Sequence, residues 1–422
     1  MANRTPSRGT RLARKGPAAA AAGQPAVARA PAATQSRGPI REPLGRLAQG
    51  LPGHWYHDAD HHRREVDRIW FGSWIAVARA DELAAPGDYR VVDLAGQSLL
   101  LVRDDAGTVR AYHNTCRHRG SILCTEASGR LRGGRITCPY HAWSYRLDGR
   151  LQSTPRRMPT PDFDADRLGL LAVRADLWGG FVFVNLGTGT VAPLRESLGW
   201  MPERLAGYGL EGLVVGHRLE VEVAADWKLV CENFCECFHC PPVHPELCRL
   251  VPAYREGGAW GLRRGRDAAP RIEPTPQFRP GTETLTPDGR SRVPPFRGLG
   301  EAERRLPYQP ALLPPNLFLN LHPDYVNAHL VFPVGPGRVR IVYDWLFEPE
   351  AVSRPGFDLE HYLSVWRVTN AQDARNCEWQ QRGVTARGFS HGVYVPQEFD
   401  CHRFAQWVRA KLRRPSTRQR PL

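Results

Sequence analysis

The sequence predicts an α+β chain of two domains: an all-β domain, then a domain with an antiparallel sheet and helices. Three observations carry that expectation. Up to about residue 190 the apolar residues fall in short, strand-length runs separated by Gly- and Asp-containing turns. Beyond about Pro193, longer strand-like runs alternate with helical spacing. The 422 residues, 42% hydrophobic and 24% charged, supply ample core and exclude disorder for the bulk of the chain. No apolar run approaches the ~18–20 residues of a membrane span, so no membrane partner is expected.

The formal charge of +14 resides in the termini. Residues 1–41 carry +8 and residues 409–422 carry +6, both without an acid, so the body between them is neutral. Neither tail holds an aromatic residue, so a nucleic-acid partner is not expected. The first tail reads as a disordered extension of a bacterial, cytoplasmic protein. An organelle transit peptide is the alternative, because the tail is Arg-rich and acid-free. The expected domains are a tail at 1–45, a first domain at 46–190, a second at 191–408 and a tail at 409–422.

In chain order, a helical patch is expected at residues 58–71, within the first domain. Strands follow at 89–94 and 98–103, then a turn at Asp104-Asp105-Ala106-Gly107 and a strand at 109–113. The second domain opens with a strand at 213–223 and a helix at 227–240. Residues 257–305, rich in Pro, Gly and Arg, read as a long irregular excursion, a lid or a mobile loop. Strands return at 316–321, 325–334 and 338–346, with Gly335-Pro336-Gly337 as a hairpin turn. Leu363, Val365, Trp366, Val368 and Cys377 recur at near-helical spacing and predict a helix over 358–382.

Ten cysteines in a chain expected in a reducing compartment point to metal ligation before disulfides. Cys116-x-His118 is followed 19 residues later by Cys138-x2-His141. Two short loops at hairpin tips can clamp one centre between them. Tetrahedral zinc would use the same four residue types, but zinc fingers place both Cys before both His. The interleaved order suits a [2Fe–2S] cluster with thiolates on one iron and imidazoles on the other. These loops resemble the Rieske motif, in its oxygenase form: Gly120 and Tyr140 stand where the respiratory form carries an extra disulfide. Cys124 lies off the pattern and reads as a buried thiol.

The second constellation lies in Asp226–Glu246, within which Glu236-x2-His239-x4-His244 stands out. On a helix Glu236 and His239 share a face. Pro241-Pro242 are expected to end that helix near Cys240, letting His244 swing back toward His239. Two imidazoles with one carboxylate and open positions are the facial triad of O2-activating non-haem Fe(II). Cys237-x2-Cys240-x7-Cys248 offers a competing zinc reading.

The stretch resembles the catalytic motif of Rieske non-haem iron oxygenases, over nearly everything from about residue 51 to 407. That resemblance implies a helix-grip-like second domain and Asp373 as the third iron ligand. It implies that Glu236 bridges subunits of a homotrimer, joining His239 to a cluster histidine of the neighbour. Glu at that position, with Thr369-Asn370-x-Gln372-Asp373 and Cys377-Glu378, resembles the choline monooxygenase, glycine-betaine demethylase and carnitine oxygenase branch. The implied substrate is a small quaternary ammonium compound, hydroxylated or N-demethylated with O2. The alternative is an aromatic or natural-product substrate, since Ala374 and Phe238 depart from that branch. A trimethylammonium group is recognised by aromatic faces; Phe238, Tyr308, Phe318, Tyr325, Tyr343 and Trp345 are the candidates. The chain lacks a dinucleotide-binding G-x-G-x-x-G after a strand and a plant-type ferredoxin Cys run, so NAD(P)H is expected to act through a separate reductase.

Overall fold

The structure is a computed structural model and describes residues 43–257, 277–307 and 309–413. Its strands, in chain order, begin with β1 (Ala48–Pro52), β2 (Ile75–Arg79), β3 (Asp88–Leu94), β4 (Gln97–Arg103), β5 (Val109–His113) and β6 (Ser128–Arg130). They continue with β7 (Arg135–Thr137), β8 (Ser144–Arg146), β9 (Leu151–Ser153), β10 (Ala172–Trp178) and β11 (Phe181–Asn185). The second half adds β12 (Val214–Val223), β13 (Gln309–Leu313), β14 (Leu317–Leu321), β15 (Val326–Gly335), β16 (Arg338–Phe347) and β17 (His391–Tyr394). The helices are α1 (Ala59–Glu65), α2 (Leu194–Leu198), α3 (Met201–Arg204), α4 (Trp227–Phe234), α5 (Cys240–Val243), α6 (Pro245–Leu250), α7 (Glu301–Arg304), α8 (Pro349–Val352), α9 (Leu359–Val384) and α10 (Phe399–Leu412).

The first domain pairs a seven-stranded sheet, order β2-β11-β10-β5-β4-β3-β6, with a three-stranded one, β7-β8-β9. Strand β4 explains why its sequence reads as a continuous apolar run. Leu99 and Leu101 enter the main core, while Leu100 and Val102 face a smaller core containing Ile136, Tyr145, Cys116 and Cys138. Both faces are buried, so no polar alternation survives.

In the second domain a five-stranded antiparallel sheet, order β12-β16-β15-β14-β13, packs with α4 and α9. Asp358 caps α9, accepting from the His361 backbone N–H at 3.2 Å. One face of this helix carries Trp366, Asn370, Asp373 and Cys377, spaced three or four residues apart.

Three expectations change. The segment from β1 to α1 does not pack with the first domain alone. Strand β1 pairs with β17, and Glu65 of α1 meets Lys228 Nζ at 2.7 Å. The described second part of the 257–305 excursion is packed: Leu285, Thr284 and Thr286 are fully buried, and Asp324 accepts from Thr284 and Ser291 hydroxyls, each at 2.6 Å. The region expected as one helix over 227–240 is α4, a turn, and then α5. Pro241 and Pro242 open α5 rather than closing α4, because a proline in the first turn forfeits no intrahelical bond. Both tails expected to be disordered, apart from residues 43–45 and 409–413, lie outside the described residues.

Candidate active site

Glu236 organises the turn between α4 and α5. Its carboxylate accepts the backbone N–H groups of Phe238 and His239, the latter at 3.1 Å, and lies 2.7 Å from His239 Nδ1. Glu236 and His239 therefore meet in a turn and not on a helical face. His244 sits between α5 and α6 with φ −121° and ψ 66°, which takes its ring out of helical register. The middle of α9 brings Asp373.

Three donor atoms converge there. His239 Nε2 and His244 Nε2 are 3.2 Å apart; Asp373 Oδ1 lies 2.9 Å from His244 Nε2 and 3.3 Å from His239 Nε2. The outer ring nitrogens are already committed. His239 Nδ1 faces a carboxylate, and His244 Nδ1 donates to Gln372 Oε1 at 2.8 Å. With the outer nitrogens so engaged, a neutral imidazole at either position carries its proton on Nδ1 and leaves the Nε2 lone pair facing inward. Two such nitrogens and a carboxylate oxygen converging on one point fit a bound cation, and two His with one carboxylate fit non-haem Fe(II).

The electrostatics agree. Burial disfavours charge on His239, but hydrogen bonds to Asp373 and Glu236 outweigh it and push its pKa up to about 11. Burial likewise opposes ionisation of Asp373, yet the two histidines hold its carboxyl well below the usual range. Without a metal the site attracts a proton; a divalent cation takes its place. Cys240 Sγ also lies within 4.8 Å of both histidine donors, but burial keeps that thiol protonated. Cys237, Cys240 and Cys248 do not form a group of donors within that distance among the described residues.

Beside the triad lies a cavity of about 80 Å³. Of the aromatic candidates named from sequence, Phe318 and Tyr343 line it, flanking His329 on the register row of β14, β15 and β16. Phe238, Tyr325 and Trp345 do not. Phe238 is exposed; the Tyr325 hydroxyl is turned away, donating to Leu285 O at 2.9 Å; Trp345 is buried against His217. Strand alternation alone could not tell which aromatic faces the triad. Tyr308 lies outside the described residues. Phe234, Trp366, Asn320, His329 and Asn370 also line it; none was named from sequence as a substrate contact, although Asn370 stood in the Thr369–Asp373 motif. The signal for two of them was their helical spacing from Asp373. Burial pulls His329 down to about 3, so its ring is neutral.

The other constellation forms two loops with one backbone pattern. Cys116 N–H donates to Ser121 O (2.8 Å), and Gly120 N–H to Cys116 O (3.0 Å). Cys138 N–H donates to Trp143 O (2.8 Å), and Ala142 N–H to Cys138 O (3.1 Å). Each loop needs a left-handed residue at its fifth position: Gly120 at φ 73°, and Ala142, which bears it at φ 57°. The matched loops bring the His118 and His141 ring centroids to 4.7 Å and hold both thiols buried. The Tyr145 hydroxyl lies 3.2 Å from Cys116 Sγ and accepts the Arg117 N–H at 3.1 Å. Burial raises the Cys116 pKa, so a bound cation is what would hold it as thiolate. Two thiols beneath two imidazoles fit a [2Fe–2S] cluster with mixed ligation.

Comparison with known proteins identifies two domains in the same order. Residues 73–164 match the Rieske [2Fe-2S] domain, and residues 210–414 match the ring hydroxylating alpha subunit (catalytic domain). The chain is 33% identical over 387 residues to the glycine betaine monooxygenase oxygenase subunit of Chromohalobacter salexigens, covering 85% of this chain and 84% of that protein. It is 29% identical to the carnitine monooxygenase oxygenase subunit of Escherichia coli K12, covering 80% and 85%. A crystal structure of the quaternary ammonium Rieske monooxygenase CntA with an inhibitor superposes with a TM-score of 0.68 at 24% identity, covering 86% of this chain and 95% of that one, a likeness of fold. Two matched domains in this order, and one-third identity over most of the length, place the chain in the family of Rieske-type oxygenase α subunits.

Proposed function

We propose that this chain is the terminal oxygenase of a two-component system that N-demethylates, by hydroxylation, a small quaternary ammonium substrate. The observation that carries this reading is the aromatic wall of Phe234, Phe318, Tyr343 and Trp366 beside the triad. Each face offers a cation roughly 0.5–2 kcal/mol. The substrate classes in the relatives' names agree.

In this reading His239, His244 and Asp373 hold iron, and Cys116, His118, Cys138 and His141 hold the cluster. When bound, the iron supplies O2 activation and the cluster one-electron transfer. The chain's own residues set the geometry. Glu236 fixes the His239 ring and faces outward to a neighbouring subunit of a homotrimer. The aromatic wall orients the ammonium group and excludes water. The overall reaction takes one N-methyl group, O2, two electrons and two protons to an N-hydroxymethyl group and water. That product loses formaldehyde and a proton, leaving a tertiary amine. The electrons come from NAD(P)H through a separate reductase. A reducing, cytoplasmic location suits ten cysteines of which none forms a disulfide among the described residues.

The test is a single turnover without reductase. The protein is reduced chemically under argon, mixed with a candidate amine and O2, and followed by cluster reoxidation and formaldehyde assay. Acceleration with formaldehyde release supports the reading. Full iron occupancy with no coupling across betaines, carnitine and choline overturns it in favour of an aromatic or natural-product substrate.

A further inference from the structure

The cavity wall has a second chemical character that the aromatic residues do not explain. Of the buried side-chain polar atoms lacking a partner among the described residues, Asn370 Nδ2 is the one that belongs to this wall. Asn370 is 6% exposed. An orphaned buried amide N–H is unfavourable, and such a group signals a missing acceptor.

Its position is informative. Asn370 stands three residues before Asp373 on α9, a rise of ~4.5 Å, so both side chains lie on one face. Trp366, one turn further back, adds an aromatic face. Across the cavity His329 offers no free proton, because its neutral ring already has Nε2 2.6 Å from Asn327 Oδ1. Asn370 Nδ2 is therefore the buried donor of this wall left without a partner among the described residues, and the one that gains most from an acceptor in this corner. Among the described lining residues there is no Lys or Arg.

We infer that Asn370 is a specificity-determining residue whose side-chain N–H donates to an oxygen of the substrate. The substrate class is then a compact quaternary ammonium compound with an acceptor oxygen about one helical turn from the methyl group presented to the triad. This rests on the quaternary ammonium reading and narrows it. A carboxylate and a hydroxyl share the accepting chemistry, and the test separates them.

The experiment is calorimetric binding of three probes to the iron-loaded, oxidised protein under argon: tetramethylammonium, choline and glycine betaine. Wild type is expected to bind an oxygen-bearing probe about tenfold tighter than tetramethylammonium, the ~1.4 kcal/mol of one hydrogen bond. In Asn370→Ala that margin disappears while tetramethylammonium binding stays within about twofold. Asn370→Asp, which replaces the donor by an acceptor, loses glycine betaine and keeps choline, whose hydroxyl can donate. An unchanged cluster spectrum and iron content verify that the variants fold. Equal weakening of all three probes in both variants would mark Asn370 as packing and overturn the inference. So would a margin that survives in Asn370→Ala, or no margin in wild type. If wild type binds none of the three, tetramethylammonium included, the quaternary ammonium reading itself fails and takes this inference with it.

Discussion

The side-chain carbonyl of Gln372 lies 2.8 Å from Nδ1 of His244. The amide has no choice of orientation, because its Nε2 donates to Glu246 Oε2 at 3.1 Å and a carboxylate can only accept. Glu246 therefore orients Gln372, Gln372 orients His244, and the His244 lone pair is aimed at Asp373. Outer partners of this kind typically carry 10–100-fold of metal affinity. Gln372→Leu is expected to weaken iron binding by about that factor, measured by competition with a chelator, while the cluster's visible band is retained.

Tyr145 serves the other centre. Its hydroxyl reaches both Cys116 Sγ and the Arg117 N–H. Hydrogen bonds to cluster sulfurs raise the reduction potential. Tyr145→Phe is expected to lower the cluster potential without altering iron content, as read by spectroelectrochemical titration. An unchanged potential would remove Tyr145 from that role.

Lys228 lies fully buried between Glu65 and Asp226, 2.7 Å from each. Glu65 also lies 2.9 Å from His61 Nε2 and accepts from Trp227 Nε1 at 2.9 Å, so the cluster fastens α1 to α4. Removing the cation leaves buried carboxylates uncompensated. Lys228→Met is expected to cost about 3–5 kcal/mol in a urea unfolding curve. Combining it with Glu65→Met should recover part of the loss.

His322 gives a pH dependence of definite sign. Its Nδ1 donates to Pro307 O at 2.9 Å, and its Nε2 accepts from Trp366 Nε1 at 3.1 Å, so the neutral ring is fully used. Burial pulls its pKa to about 3 from the ordinary 6.5. The unfolded chain thus takes up a proton between those values that the folded chain refuses. Stability is present above pH 6.5 and falls as the pH drops below it, by ~1.4 kcal/mol per pH unit for this one group. Urea midpoints measured at pH 7 and pH 5 should show it as a difference: His322→Gln loses less stability, or gains more, than wild type on acidification.

Much of this architecture is legible in the residues themselves. The Asp104–Gly107 turn, the Gly335–Gly337 turn and helix α9 follow from local chemistry: turn residues, a capping Asp358 and apolar spacing. What escaped depends on distant partners. Strand β1 is recognisable only through β17, far along the chain. Pro241 and Pro242 stop a helix or start one according to what precedes them, and here the Glu236 turn precedes them. Tyr325 and Trp345 read like Phe318 and Tyr343 until the sheet's faces are assigned. His239 and His244 stood out by their spacing and Asp373 through the family resemblance alone, whereas Gln372 and Glu246 became meaningful once α9 was laid against α6.

In the proposed function one chain holds two separate iron centres, one on Cys116, His118, Cys138 and His141 and the other on His239, His244 and Asp373. The decisive measurement is iron and acid-labile sulfide counted per chain, in wild type and in Asp373→Ala. Wild type is expected to hold about three irons and two sulfides, and Asp373→Ala to lose a single iron with both sulfides retained. A wild-type protein with two irons, or an Asp373→Ala protein that keeps all three, would refute the assignment of two centres.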